Sequence, residues 1–286
     1  MLEFLVKYLW QIIVAVILVI AVSLFCYEQN NRIVVTRYKS NKKAKGIKIL
    51  QLSDLHSKQF GKFNTKLLNK VKNEQPDIIV FTGDLINDKG RNIDKTMRFV
   101  SALSEIAPLY YVCGNHEHRL DYFDKLIEKI SKAGAIVLRD KIEDLTINGE
   151  EINILGLDEN QASFKNYSER RKGNFKYKDY SDTFKELAKK DGIKIVLTHY
   201  PENFALIGEC SYNQYDFDVM FAGHAHGGQF VLPFVGSVYS PGQGLFPKYA
   251  KGEYGEKPKL IVSRGLGNSE FPLRLFNHPE IVVFEI

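Results

Sequence analysis

Residues 218–228 read Asp-Val-Met-Phe-Ala-Gly-His-Ala-His-Gly-Gly. An apolar, strand-like run stops at a glycine, two histidines follow one residue apart, and two more glycines close the turn. The turn is too short and too Gly-rich to pack a core. Glycine before the first histidine lets the backbone turn tightly, and one residue between the histidines points their side chains apart by the period of an extended chain.

The same arrangement recurs upstream. Ile47-Lys-Ile-Leu-Gln-Leu52 alternates and stops at Ser53-Asp-Leu-His56. Pro76–Thr82 reads as a buried strand ending in Gly83-Asp84. Leu109–Cys113 ends in Gly114-Asn-His-Glu117, and Ile193–Thr198 ends in His199-Tyr-Pro201. Helical spacing fills 64–75, 92–106, 120–133 and 181–190 between them. Residues 135–138 read as a strand, and Asn148-Gly149 signals a hairpin turn. Further strand-like runs lie at 230–235, 259–263 and 281–285. Residues 158–180 and 236–258 read as long loops. Their aromatic residues either line a pocket for an acyl chain or base, or pack the loops. Early alternation of strand and helix implies an α/β fold, and the strand-rich second half implies a second sheet. With no linker inside it, 47–286 reads as one domain.

Ligands in α/β sheets bind beyond the carboxyl ends of strands. Five turns from distant parts of the chain therefore converge on one crevice. They carry Asp54, His56, Asp84, Asn115, His116, Glu117, His199, His224 and His226, which include five of the seven histidines. Only His118 and His278 fall outside. Each signal alone is weak; five in order, each at a strand end, are hard to assign to packing. Asp, His and Asn without cysteine suit Mn, Fe, Zn or Mg. Seven donors (Asp54, His56, Asp84, Asn115, His199, His224 and His226) exceed the needs of one ion. They suit two divalent ions bridged by a carboxylate, a pair that clamps a phosphoryl centre.

The order D-x-H, G-D, G-N-H-[DE], H, G-H-x-H resembles the signature of calcineurin-like metallophosphoesterases over about residues 47–286. The resemblance implies two stacked mixed sheets flanked by helices, a four-layer sandwich. It implies one metal on Asp54, His56 and His226, a second on Asn115, His199 and His224, and Asp84 bridging. It also implies in-line attack on phosphorus by a hydroxide held between the ions. His116 would protonate the leaving oxygen, its proton and orientation helped by Glu117. The run Gly-His-Ala-His-Gly-Gly-Gln229 and the tail Ser263–Glu280 look like a membrane-associated bacterial subgroup. That subgroup includes phosphodiesterases and a pyrophosphatase acting on UDP-diacylglucosamine. Some of its members carry a twin-arginine export signal; this sequence shows none. Arg264 and Arg274 in the tail are candidate phosphate clamps, with structural salt bridges as the alternative.

Leu9–Cys26 is almost wholly apolar, its polar side chains being Gln11, Ser23 and the mildly polar Cys26. With its flanks it approaches the ~30 Å of a bilayer core, so residues 1–28 are expected to form one transmembrane helix. A cleaved signal peptide is the alternative, though its apolar region is normally ~7–15 residues. Residues 29–46 then read as a basic linker, lying on anionic lipid or simply solvated. Between Arg32 and Lys48 stand seven basic residues and no acid, and without them the formal charge of +5 becomes −2. The positive-inside rule places the catalytic domain in the cytoplasm as a single-pass membrane protein. The remaining charge balance excludes a broad nucleic-acid face. The expected partner is a phosphate-ester or pyrophosphate substrate, lipid-linked if the subgroup resemblance carries over; no protein partner is expected. A nuclease of the same family and an inactive metal-binding scaffold are the competing readings. Three cysteines without paired spacing give no disulfide framework.

Overall fold

The computed structural model describes residues 2–40, 46–90, 92–159, 169, 172–268 and 271–286. Much of the expected 158–180 loop, including Phe164 and Tyr167, lies outside the described residues. The chain begins with helix α1, Leu2–Asn31. Sheet A follows from β1 (Val34–Lys39), β2 (Lys48–Leu52), β3 (Ile78–Thr82), β4 (Leu109–Val112) and β5 (Ile136–Val137). Between these strands run α2 (Thr65–Glu74), α3 (Ile93–Ser104), the single turn α4 (Asn115–His118) and α5 (Phe123–Lys132). Sheet B uses β6 (Lys141–Ile147), β7 (Glu150–Gly156), β8 (Ile193–Leu197) and β9 (Val219–Ala222), with α6 (Ser181–Ala188) before β8. Four two-residue strands come next: β10 (Val231–Leu232), β11 (Gly236–Ser237), β12 (Tyr239–Ser240) and β13 (Gly244–Leu245). Sheet B then gains β14 (Gly252–Tyr254) and β15 (Lys259–Val262), and the last strand, β16 (Glu280–Glu285), returns to sheet A.

Sheet A has the order β1-β16-β2-β3-β4-β5, and sheet B β14-β15-β9-β8-β7-β6. Strands β2 to β5 run parallel, as do β7, β8, β9 and β15. Antiparallel partners make both sheets mixed. Alternation along β2 explains the layering. Ile47 and Ile49 face sheet B and meet Ile154, Ile195 and Phe221. Leu50 and Leu52 face the other way, onto Leu67, Phe99 and Leu126 of α2, α3 and α5. The outer face of sheet B buries Val196, Met220 and Leu260 against Phe184 and Leu187 of α6. Each fully buried large apolar side chain contributes roughly 1.5–3 kcal/mol, and all three layers contain many of them. One polar tie crosses it: Gln51 Nε2 donates to Thr82 Oγ1 at 2.9 Å and to the Ala222 carbonyl of sheet B at 2.8 Å. This bond sits just beneath the carboxyl ends of β2, β3 and β9.

The segment expected as a linker differs. Helix α1 runs to Asn31, its end tied by side-chain bonds from Asn30 to Cys26 O and from Asn31 to Tyr27 O. Residues 34–39 are then a strand, paired in parallel with β16 from Val34↔Glu280 to Lys39↔Glu285. Ile33 is buried in the core. The basic residues here have partners within the fold: Arg37 lies 2.6 Å from Glu74 and Lys39 3.6 Å from Glu285. Residues 34–39 are therefore an edge strand of sheet A rather than a linker. Within 236–258, expected as loop, the chain forms short paired strands. Tyr180 is buried and donates to Asp158 O at 2.9 Å, so it packs its loop rather than lining a cavity.

Candidate metal centre

The turns after β2, β3, β4, β8 and β9 meet at one end of both sheets. Loop β2 continues its pairing past the sheet: Asp54 N donates to Gly83 O and His56 N to Asp84 O, both at 3.0 Å. Carboxylates then fasten neighbouring turns. Asp54 accepts His224 N at 3.0 Å, and Asp84 Oδ1 accepts His116 N at 2.9 Å. Asp54, His56, Asp84, His224 and His226 all have positive φ, between 47° and 64°. Left-handed backbone costs a non-glycine residue about 1–2 kcal/mol. Five such residues at one site are held by the surrounding fold, as strain at functional sites generally is.

The two histidines of 224–226 thus separate because both adopt left-handed backbone, not because the chain is extended. Gly223 has a different use from the expected tight turn: a Cβ there would stand 2.0 Å from Ser53 Oγ and 2.5 Å from Asp54 Oδ2. A Gly223→Ala variant is expected to lose about 1–3 kcal/mol through overpacking, at about 2–4 °C per kcal/mol for a chain of this size. Its bound metal should fall as Asp54 is displaced. Calorimetry with elemental analysis checks both, and an unchanged melting point would remove the steric argument.

Two groups of donor atoms result, each within 4.8 Å: Asp54, His56, Asp84 and His226, and Asp84, His199 and His224. Asp84 belongs to both. Its Oδ2 lies 3.6 Å from His56 Nε2 and 3.4 Å from His199 Nε2. Asn115 Oδ1 is 3.1 Å from His199 Nε2, which joins it to the second group. A cation fits this set for a specific reason. His199 Nδ1 stands 2.8 Å from the Thr82 carbonyl, which can only accept, so Nδ1 carries the proton. In the neutral ring Nε2 then offers a lone pair, yet it faces Asn115 Oδ1, Asp84 Oδ2 and, at 3.2 Å, His224 Nδ1. His56 Nε2 and His226 Nε2 likewise face each other at 3.1 Å. Acceptors converging at such distances call for positive charge between them, supplied by a proton or by a cation.

The electrostatics agree. Burial raises Asp54 to about 7 and lowers His56 to about 3. His226 is pushed well below its usual value by burial and by His56. Burial opposes the charged form of Asp84, but His199 and His116 override it and hold the carboxyl well below its usual range. Burial likewise opposes the charge on His199, and Asp84 overrides it, raising the imidazole to about 10. These buried groups cannot all hold their solution charge, and a bound cation changes that balance more than any side chain.

Three sequence expectations need correction. Glu117 does not address the His116 side chain. Its carboxylate accepts Gly114 N at 2.8 Å, Asp84 N at 2.9 Å and Ile86 N at 3.1 Å. Neighbours on a helical turn do not face each other, so Glu117 shapes the Asp84 and Asn115 turns instead. Arg274 is wholly buried and its guanidinium donates to the carbonyls of Arg264, Gly267 and Asn277. It braces the 264–277 loop behind His226 and is not exposed to clamp a phosphate. Arg264 lies 3.4 Å from the buried carboxylate of Glu280, as a structural pair.

Two supporting residues were not picked out from the sequence, although Asn277 lies in the Ser263–Glu280 tail. Glu159 is buried and accepts His199 N at 3.0 Å, Asn203 Nδ2 at 2.6 Å, Tyr212 OH at 2.8 Å and the Thr198 hydroxyl. Asn277 donates to His226 O at 2.7 Å and Gln229 O at 3.1 Å. Ligand atoms of Cys113, His118 and Asp158 form a separate cluster, also within 4.8 Å of one another. Arg139 stands 2.5 Å from Asp158 there, a permanent cation that makes this an ion-pair cluster.

A profile of the calcineurin-like phosphoesterase family matches residues 47–228. That span is more than half of the chain and holds every residue of the two donor groups. The chain is a calcineurin-like metallophosphoesterase. Among its relatives in the family, the uncharacterized metallophosphoesterase YkuE of Bacillus subtilis is 32% identical over 249 residues, 84% of this chain and 79% of that protein. The UDP-2,3-diacylglucosamine pyrophosphatase LpxG of Chlamydia muridarum is 28% identical over 279 residues, covering 83% of each. The NAD nucleotidase NadN of Haemophilus influenzae shares the fold at a TM-score of 0.50 and 18% identity. That match takes in 78% of this chain and about half, 51%, of NadN. As a calcineurin-like metallophosphoesterase the chain is a metal-dependent phosphoester hydrolase, and its clustered His and Asp side chains supply the metal-binding groups.

Proposed function

We propose that this metallophosphoesterase is a membrane-anchored enzyme of two divalent cations that cleaves a phosphodiester or pyrophosphate bond in a lipid-linked substrate. The observation that carries the reading is the sharing of Asp84 between two donor groups at the carboxyl ends of both sheets. Asp54, His56 and His226 would hold one cation with Asp84. Asn115, His199 and His224 would hold the other with Asp84. Ions held there supply Lewis-acid charge to a phosphoryl centre and a strong nucleophile from water at neutral pH. The protein's own contribution is to fix the donors through Asp54, Glu117, Glu159 and Asn277, and to place His116 beside them. His116 belongs to neither donor group and donates a proton to the leaving oxygen.

The anchor is α1. Residues Val6–Asn31 are apolar enough to span a bilayer, and their most apolar stretch is not buried against the rest of the protein. At ~1.5 Å per residue they exceed the ~30 Å hydrocarbon thickness. A core helix would be covered; this one is exposed along its apolar length and meets the protein only in its last turns. Positive charge following the span favours a cytoplasmic catalytic domain. The lipid-linked pyrophosphate is the substrate class suggested by the LpxG relative.

The test uses the full chain in detergent. Chelation should abolish hydrolysis of bis-p-nitrophenyl phosphate, and Mn, Zn or Mg should restore it with two ions per chain by elemental analysis. A nucleoside-diphosphate lipid should then be cleaved faster than a glycerophosphodiester. Hydrolysis that survives complete chelation would overturn the metal reading, and preference for a diester without a lipid part would overturn the lipid-linked substrate class.

A further inference from the structure

Directly after His226-Gly227-Gly228 the chain forms a narrow apolar ribbon. Val231 N donates to Leu275 O at 2.9 Å, Val238 N to Phe230 O at 3.0 Å and Phe246 N to Val238 O at 2.9 Å. β10 pairs with β11 and β12 with β13, Val238 links the two hairpins, and the Val231 bond ties the ribbon to the tail. The ribbon is fastened to the metal-centre turn, since Ser237 Oγ donates to Gly227 O at 3.0 Å. Its outer surface is unusual for a water-soluble loop: Leu232, Phe234, Val235, Leu245 and Phe246 are all exposed. Phe234 and Phe246 also have positive φ, 65° and 53°. A bulky residue in that region is a genuine outlier, and here the outlier presents an aromatic ring to the outside with no burial in return.

The patch is continuous with α1. Exposed Phe271 packs edge-on against Phe230 of the ribbon, with centroids 5.6 Å apart. Exposed Phe276, also at positive φ (50°), packs edge-on against Phe25 of α1 at 5.8 Å. Arg274 N donates to Asn30 Oδ1 at 3.2 Å, and Lys58 Nζ reaches Asn30 O. The last turns of the apolar helix therefore lie against the loop that carries the ribbon's partner residues. Residues 229–252 contain no acid and two lysines, Lys248 and Lys251. Apolar tips flanked by lysine suit the boundary between acyl chains and anionic headgroups. A contiguous exposed apolar patch marks an interaction surface, and its continuity with α1 says which one.

We infer that the 230–246 ribbon, with Phe271 and Phe276, inserts into the bilayer interface next to α1 as a second membrane contact. It seats the mouth of the metal centre at headgroup depth, so the scissile phosphate is taken from the lipid surface rather than from bulk water. The inference rests on the reading of α1 as a membrane helix, and the experiment keeps the two apart.

The full chain is placed in bilayers of phosphatidylcholine and phosphatidylglycerol containing lipids spin-labelled near the headgroup or deep in the acyl chain. In the unaltered chain the single tryptophan, Trp10, reports on α1. In a Trp10→Phe background, Phe234→Trp and, separately, Phe246→Trp report on the ribbon. Ile136→Trp on β5, the edge of sheet A farthest from β1, reports on a surface expected to stay in water. The expected result is strong quenching of both ribbon tryptophans by the shallow label, with a blue-shifted emission, and none at position 136. Ribbon tryptophans quenched no more than the one at 136, while Trp10 is quenched, would overturn the ribbon contact alone. An unquenched Trp10 would overturn the anchor reading itself.

Discussion

Replacing Asp84 by alanine is expected to lower hydrolysis by at least about 10³-fold and to remove bound metal from both positions. Asp84 is the one residue in both donor groups. Its Oδ2 faces His56 on one side and His199 on the other, and its Oδ1 accepts the amide of His116. Removing it takes a ligand from each cation at once and leaves four imidazoles, those of His56, His199, His224 and His226, around a pocket with less compensating charge. Metal clamping of a phosphoryl centre is worth several kcal/mol, and each 1.36 kcal/mol is about tenfold in rate. Steady-state kinetics with elemental analysis checks the expectation, and far-UV circular dichroism shows whether the variant still folds. A folded variant holding two ions with near-normal rate would remove Asp84 from its bridging role. Loss of one ion only would place it in a single group.

The candidate donors, which the structure brings together, stood out in the sequence because each follows an apolar strand in a turn too polar to be core. That relation is local and survives without knowledge of the partners. Legibility stopped where a role is set by residues far away. The strand Val34–Lys39 pairs with β16, about 250 positions on, and nothing local to it announces that partner. Glu117 is adjacent to His116 in sequence, which suggests partnership. A helical turn instead aims its carboxylate at three backbone amides. Arg274 reads as a phosphate clamp until the carbonyls that surround it are known. Glu159 stands in a polar stretch with no periodicity, so nothing marked it as the residue that holds the His199 backbone. The helix positions, by contrast, followed from apolar spacing and a second sheet from the strand-rich second half, while the stacking of the two sheets was implied by the family resemblance.

His116→Asn is expected to lower kcat by about 10²–10⁴-fold, the usual range for a lost general acid, while leaving two cations in place. Within the cluster His116 differs from its neighbours in access. Its side chain is 18% exposed, against 6% for His56, 0% for His199 and 3% for His226. Its Nε2 is 3.9 Å from Asp84 Oδ2, and its ring stands edge-on to His56 with centroids 4.5 Å apart. Its Nδ1 has no hydrogen-bond partner among the described residues. The imidazole is thus held beside the metal-binding groups with one side open to an incoming phosphate. If it protonates the leaving oxygen, the loss must depend on the leaving group. A p-nitrophenolate departs without a proton, so the variant should be only mildly impaired on the nitrophenyl diester. An alkoxide or phosphate leaving group needs the proton, and there the full loss should appear. Measuring kcat for both substrate types, with metal content alongside, separates proton donation from support of the fold. An equal loss on both substrates together with a lost cation would make His116 a structural residue and leave the leaving oxygen without its proton donor.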